Sequence, residues 1–417
     1  MRKLLGLTGF SAQLSKALYA GGKGHSIFNM FISSVSEAVE RIFGMMEYLA
    51  KVPDLVFGTY RQLTEQGYPC LGPRELHLFA EEQYHDSNLM FDRFTEETPL
   101  AWMEGRYLLS GRKVLMPAQL IAIFYAPIRR DEGKIGYSTS GGLASHINER
   151  EAIAHGITEL FERDGVNIHW YSKIPPALVE IDRPLRLPAL RRLLTIAQGL
   201  PSQPRFYLHA LDVPEMVVMT VIELDRWLTR YAYYAGGGVD MDAERCMLSS
   251  LDEFGQAELP MRLALNAPQW GFARGIDYMF GVDPDDDASM ITNFIKVVAF
   301  YGYKKNYPKL KWYVEPERRM KLSALPECDL RSTDERWDAL MQILERHRID
   351  PIVFDFTPPQ MGHIRLMKTY IPELAPPFTP SIPLLGHPRY YELPQKLGFA
   401  HHRLTYSELN KDPMPYP

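Results

Sequence analysis

Apolar residues recur at helical spacing over 30–65, 74–90, 149–165, 185–199, 242–258 and 332–347, and each stretch predicts an amphipathic helix. Short β-branched or aromatic runs lie between them. Arg205–Leu211, Met216–Ile222, Trp227–Tyr234 and Ile352–Phe356 predict strands. Helices and strands interspersed in this way predict an α+β (mixed α/β) fold.

Three of the helical stretches carry the same polar stencil: Ser33-x3-Glu37-x2-Glu40, His155-x3-Glu159-x2-Glu162 and Ser249-x3-Glu253-x2-Gln256. Positions i, i+4 and i+7 share one helix face, so each stretch aligns a small polar group with two carboxyl or amide groups. Opposite them run apolar stripes: Val35, Val39 and Ile42; Ile153, Ile157 and Leu160; Met247, Leu251 and Phe254. These predict packing faces. One Glu-x-x-Glu reads as a solvated helix face. Repetition on three helices points instead to carboxylates converging on one cavity, where hard cations carrying a polyphosphate would offset their repulsion. Each stencil also follows a glycine cluster, Gly21-Gly22-Lys23-Gly24, Gly141-Gly142 or Gly236-Gly237-Gly238, read as turns that let backbone approach a ligand.

The composition narrows the class. With 417 residues, 46% hydrophobic and 12% aromatic, the chain can bury a large core. A formal net charge of −5 argues against general nucleic-acid affinity, and the local run Lys304, Lys305, Lys309 and Lys311 reads as a solvated loop. Cys70, Cys246 and Cys328 are too few and too scattered for a zinc motif or disulfide framework, which points to a reducing, cytoplasmic setting. Met1-Arg2-Lys3 before Leu4-Leu5-Gly6-Leu7 imitates a secretory start, but Ser11, Gln13, Ser15 and Lys16 interrupt it. No stretch reaches the roughly 18 apolar residues of a membrane span. Thirteen of the 32 prolines fall between Pro351 and Pro417, and the end Pro413-Met414-Pro415-Tyr416-Pro417 favours an extended, stiff tail.

Taken in order, these motifs resemble the YcaO family. Gly-Gly-Lys-Gly with Ser33, Glu37, Glu40 and Arg41 is similar to its first ATP-site motif, and Ala144-Ser-His-Ile-Asn148 through Glu151 to Glu159, Glu162, Arg163 and Asp164 to its second. Gly238 through Glu253 and Gln256 resembles the third. Val353–Pro358, Ile371-Pro372-Glu-Leu, Gly386-His-Pro388-Arg389 and the proline-rich end follow its C-terminal landmarks. The resemblance implies an ATP-binding catalytic domain over 1–395 and a tail, 396–417, that folds back to the active site. Glu37, Glu40, Glu159, Glu162 and Glu253 would be metal ligands. Lys23, Ser33, Arg41, Glu151, Arg163 and Gln256 would bind the nucleotide side.

Within the family the Pro-x-Pro-x-Pro end resembles members that form azolines in ribosomally made peptides. The resemblance implies an ATP- and Mg2+-dependent cyclodehydratase in which Pro415 and Pro417 are catalytic, the Pro417 carboxylate serving as base. It also implies partners: a precursor peptide, a leader-binding protein resembling ubiquitin-activating enzymes, and an FMN-dependent azoline dehydrogenase, gathered in a hetero-oligomeric synthetase. Two other activities use the same ATP site, thioamide and macroamidine formation. A non-catalytic nucleotide-binding scaffold is the alternative from another class.

Overall fold

The computed structural model describes residues 21–199, 203–224, 233–266, 297 and 300–416. Its elements, in order, are helix α1 (Ile27–Ala50), strand β1 (Val56–Gly58), helix α2 (Tyr60–Glu65), the hairpin β2 (Leu100–Tyr107) and β3 (Lys113–Pro117), and strand β4 (Leu143–His146) leading into α3 (Glu149–Tyr171). Then come β5 (Ala177–Glu180), α4 (Pro188–Ala197), β6 (Arg205–His209), β7 (Val217–Leu224), β8 (Tyr233–Asp240) and α5 (Ala243–Asn266). They are followed by α6 (Tyr307–Val314), β9 (Arg319–Lys321), α7 (Thr333–His347), β10 (Ile352–Asp355), β11 (Arg365–Tyr370) and α8 (Arg389–Lys396).

The strands form two sheets, as a mixed α/β chain requires. The first runs β1-β2-β10-β11-β4, with β3 also paired to β2, and all its pairings are antiparallel. The second runs β8-β7-β6-β5-β9, antiparallel except for β5 with β9. Helix α3 packs against β4 and β11 of the first sheet and β7 and β8 of the second, so it is the common wall of both layers. From Leu160 to Tyr171 every residue of α3 except Arg163 is buried, the pattern of a helix enclosed on all sides. Its start is set by Asn148, whose side chain caps the Arg150 amide, and by Glu149 and Glu151 in the first turn. Gly156 permits the close packing: a Cβ there would lie 2.7 Å from the Gly142 carbonyl oxygen.

Three expectations need correction. The helix expected over 30–65 stops at Ala50, because Pro53 cannot continue it, and Val56–Gly58 joins a sheet instead. The stretch 74–90 is not a helix beyond a single 3-10 turn at Gln83–His85; its backbone and side chains pair elsewhere, the Leu78 carbonyl with the Gly386 amide and Gln83 with Pro383 and Leu385. Gly236-Gly237-Gly238 is not a turn but the middle of β8, flat against α5, where Cβ atoms on Gly236 and Gly238 would strike the helix backbone. Of the strand expected over Trp227–Tyr234, residues 227–232 lie outside the described ones, and the remainder opens β8.

A buried ion cluster joins the C-terminal segment to α3. Arg389 grips Asp164 with two nitrogens, at 2.9 and 2.6 Å, and also reaches Asp212 at 2.9 Å. Asp164 is fully buried and takes the Ala375 amide as well. Replacing Arg389 by Met strands that carboxylate, and the expected loss is about 3–5 kcal/mol. Urea unfolding of the variant checks it; a midpoint equal to the parent's would remove the cluster from any account of stability.

Candidate active site

Each expected acidic residue has a distinct donor. On α1, Glu37 accepts the Gly21 amide at 2.9 Å and pairs with Arg41 at 2.6 Å, while Glu40 accepts the Ser145 amide at 2.7 Å. Ser145 lies on β4, an edge strand whose other side pairs with β11, so Glu40 occupies donors that the sheet leaves free. On α3, Glu159 accepts the Gly142 amide at 2.9 Å. Gly142 has φ +78°, open to glycine, and Gly156 lets α3 approach this turn closely. On α5, Glu253 meets the Lys23 ammonium at 2.9 Å.

Most of the residues expected on the nucleotide side fall around the same cluster. Ser33 accepts the Lys23 amide at 3.2 Å, and Gln256 lies against Gly21, with its Nε2 2.3 Å from where a Cβ would stand. Thus the loop Gly21–Gly24 touches α1 and α5 directly, and its Lys23 feels the charges of Glu159 and Glu162 on α3. Arg163 approaches Glu159 at 3.9 Å and stands over the Tyr416 ring. Arg41 is engaged by Glu37. Glu151 is turned outward to Arg336 of α7 at 3.0 Å and is the expected residue least drawn into the cluster. Of the apolar stripes, those of α3 and α5 are buried, whereas Val35 on α1 is 45% exposed.

The tail reaches this centre. Trp170 donates to the Asp412 carbonyl at 2.8 Å, Tyr301 to that of Pro413 and Tyr233 to that of Pro415, while Lys309 pairs with Asp412. Residues 413–416 are buried. The Tyr416 hydroxyl lies 2.7 Å from Glu162 Oε1 and 3.0 Å from Glu253 Oε1, bridging carboxylates of α3 and α5. Reading the tail for its prolines overlooked Tyr416, though a lone hydroxyl between prolines was a visible signal. Pro417 lies outside the described residues.

The electrostatics are those of carboxyl groups crowded into a buried space. Burial pushes Glu40 up to about 8, against the Ser145 hydrogen bonds. Burial, reinforced by the neighbouring Glu253 charge, pushes Glu162 up to about 7. Desolvation works against the Lys23 charge, but Glu253, Glu162 and Glu159 together raise its pKa. Desolvation likewise opposes ionisation of Glu253, yet Lys23 and Arg163 hold its pKa below the usual range. Among the described residues no group of three or more His, Cys, Asp or Glu side chains is arranged to hold a metal ion. Mg2+ needs none: it takes one or two carboxylates and completes its shell with water and phosphate oxygens. Oxygen donors on three helices around a lysine and a glycine loop fit that requirement.

Comparison with known proteins defines the class. Residues 21–375 match the YcaO cyclodehydratases, described as ATP- and Mg2+-binding, and the chain belongs to that family. An uncharacterised protein from the tfuA 3′ region of Rhizobium leguminosarum bv. trifolii is 28% identical over 179 residues, 39% of either chain. The fold is similar to that of a heterocyclase solved in complex with substrate and cofactor, with TM-score 0.72 and 20% identity over 95% of this chain. It is also similar to a chain of the E. coli microcin synthetase McbBCD complex, with TM-score 0.57 and 12% identity over 94% of this chain and 89% of that one. This chain spans 49% of the heterocyclase's length. Among the described residues no helix is long and apolar enough to cross a membrane.

Two outcomes are expected. Glu159→Gln with Glu162→Gln keeps acceptors for Gly142 and Tyr416 but removes two like charges; the unliganded protein should melt at or above the parent temperature, while stabilisation by Mg2+ with ADP should vanish. Thermal unfolding with and without Mg2+–ADP reads both, and retained stabilisation would exclude these residues from the site. Gly237→Ala places a Cβ 1.9 Å from the Tyr416 hydroxyl oxygen, so the tail must leave its seat. Limited proteolysis should then cut the C-terminus faster than in the parent, with equal rates arguing for a different tail path.

Proposed function

We propose that this protein is an ATP- and Mg2+-dependent peptide cyclodehydratase that converts Cys, Ser or Thr residues of a ribosomally made peptide into thiazolines or oxazolines. One observation carries the reading: carboxylates from α1, α3 and α5 surround one site, and the proline-rich tail places Tyr416 among them. Family membership supports the nucleotide and the metal.

In the proposed reaction a substrate side chain adds to the preceding backbone carbonyl carbon, and the former carbonyl oxygen must then depart. Mg2+–ATP supplies the phosphoryl group that makes that oxygen a leaving group. Glu37, Glu40, Glu159, Glu162 and Glu253 would be shared among two or more Mg2+ ions, with Glu151 at the edge of the set. Lys23, Ser33 and Gln256 bind the nucleotide side. Arg41 and Arg163 balance neighbouring carboxylates and are placed to take phosphate oxygens. The tail, 396–417, delivers the Pro417 carboxylate as base, with Pro415 fixing its approach. Per ring, the peptide loses one water.

The microcin synthetase is a complex, which supports a hetero-oligomeric assembly here. Its proposed members are the precursor peptide, a leader-binding partner resembling ubiquitin-activating enzymes, and an FMN-dependent azoline dehydrogenase. Three free thiols support a reducing cytoplasm.

The test is the product mass. Incubation with the partner protein, peptide, ATP and Mg2+ should remove about 18 Da, one water, per ring; exchange of oxygen for sulfur would redirect the reading to a thioamide. A C-terminal extension beyond Pro417 should slow ring formation on the order of 10²–10⁴-fold while nucleotide affinity holds, the signature of a displaced base. Equal turnover with and without the extension would take the tail out of the chemistry.

A further inference from the structure

Lys368 is a charged residue that the reading above does not use. It stands on β11, is 3% exposed, and donates to two neutral acceptors, the carbonyls of Thr139 at 2.8 Å and Gly141 at 2.7 Å. Its neighbour Thr369 donates its amide to the Gly142 carbonyl at 2.8 Å. Three carbonyls of the glycine turn are therefore drawn toward β11. In a trans peptide the C=O of one residue and the N–H of the next point in opposite directions. Fixing the Gly141 carbonyl on Lys368 therefore aims the Gly142 N–H away from β11, and its acceptor is Glu159 Oε2 at 2.9 Å.

We propose that Lys368 is a positioning residue that sets the Glu159 carboxylate for the Mg2+–nucleotide site through the Gly141–Gly142 peptide. The proposal rests on the assignment of Glu159 to that site. A ligand-binding role does not fit, since the cavity beside Lys368 measures about 20 Å³, room for one water. A purely stabilising role fits poorly too. A buried ammonium with two carbonyl partners carries a desolvation penalty that two neutral hydrogen bonds do not repay. Burial pulls its pKa down to about 8, with Glu159 opposing, so the charge persists at neutral pH.

The test uses the full chain with Lys368→Met, Lys368→Gln, Glu159→Gln and the Met/Gln double variant. Calorimetry with Mg2+ and ADP reads affinity, and thermal unfolding without ligand reads stability. Lys368→Met should weaken Mg2+–ADP binding about 10–100-fold, the usual effect of losing a group that orients a metal ligand. Its unliganded melting temperature should fall only modestly, because the loss of a donor to the Thr139 and Gly141 carbonyls is partly offset by removal of a buried charge. The double variant should bind no more weakly than Glu159→Gln alone, since both changes act through one carboxylate. Lys368→Gln keeps a donor without the charge and carries the comparison if the Met variant does not fold. Weak binding in Glu159→Gln but parent-like binding in the Lys368 variants overturns this proposal alone. Failure of both Lys368 variants to fold, or lowered stability with unchanged affinity, makes the residue structural and overturns it as well. Parent-like binding in Glu159→Gln overturns the site assignment, and this proposal with it.

Discussion

Carboxylates that repel one another must be held together before any cation reaches them, and the architecture around the site follows from that constraint. Each expected metal ligand is given its own donor: the Gly21 amide and Arg41 for Glu37, the Ser145 amide for Glu40, the Gly142 amide for Glu159, the Tyr416 hydroxyl for Glu162, and Lys23 for Glu253. The donors come from a loop, an edge strand, a glycine turn and the tail. Backbone amides suit this task because they stabilise an anion without adding a mobile countercharge that a metal would have to displace. Burial still weighs on two of them, pushing Glu40 up to about 8 and Glu162 up to about 7.

Bringing these donors within reach demands unusually close approaches between elements, and glycine supplies them in two different ways. At Gly142 it permits a positive φ, which turns the amide toward Glu159. At Gly156 and Gly237 the backbone is ordinary and the missing side chain matters: one lets α3 lie on the glycine turn, the other leaves room for the Tyr416 hydroxyl. A glycine cluster in sequence therefore indicates proximity without stating its geometry. That ambiguity is why Gly236–Gly238 read as a turn although it is a strand under α5.

The parts legible in the sequence were those written in local periodicity. The apolar stripes of α3 and α5 and the polar faces opposite them are properties of single helices, and both stripes are buried. What local pattern could not carry was competition from distant partners. Residues 74–90 have helical spacing, yet the Leu78 carbonyl and the Gln83 side chain bond to the segment around Pro383–Gly386, some 300 residues away. Val35 begins a stripe on α1 that the described residues cover only in part, with Val39 and Ile42 half-buried. Glu151 shares the Glu162 face by spacing, but Arg336 from α7 claims it. Ser145 and Tyr416 sat inside motifs without a role of their own and Lys368 joined none, because their importance comes from which backbone or carboxylate atoms they meet across elements.

The tail shows how composition acquires meaning only through its surroundings. Proline has no N–H, so a Pro-x-Pro segment offers mainly carbonyls to its environment, and once buried these need donors. Trp170, Tyr301 and Tyr233 supply them to Asp412, Pro413 and Pro415 in turn, from α3, the stretch just before α6 and β8. Donors of this kind, rigid aromatic rings with one polar tip, bury apolar area while satisfying a carbonyl. A frayed end would need none of them. Because α3 contributes both Trp170 and the carboxylates Glu159 and Glu162, the seat of the tail and the geometry of the site share one rigid element, and displacing either is felt by the other.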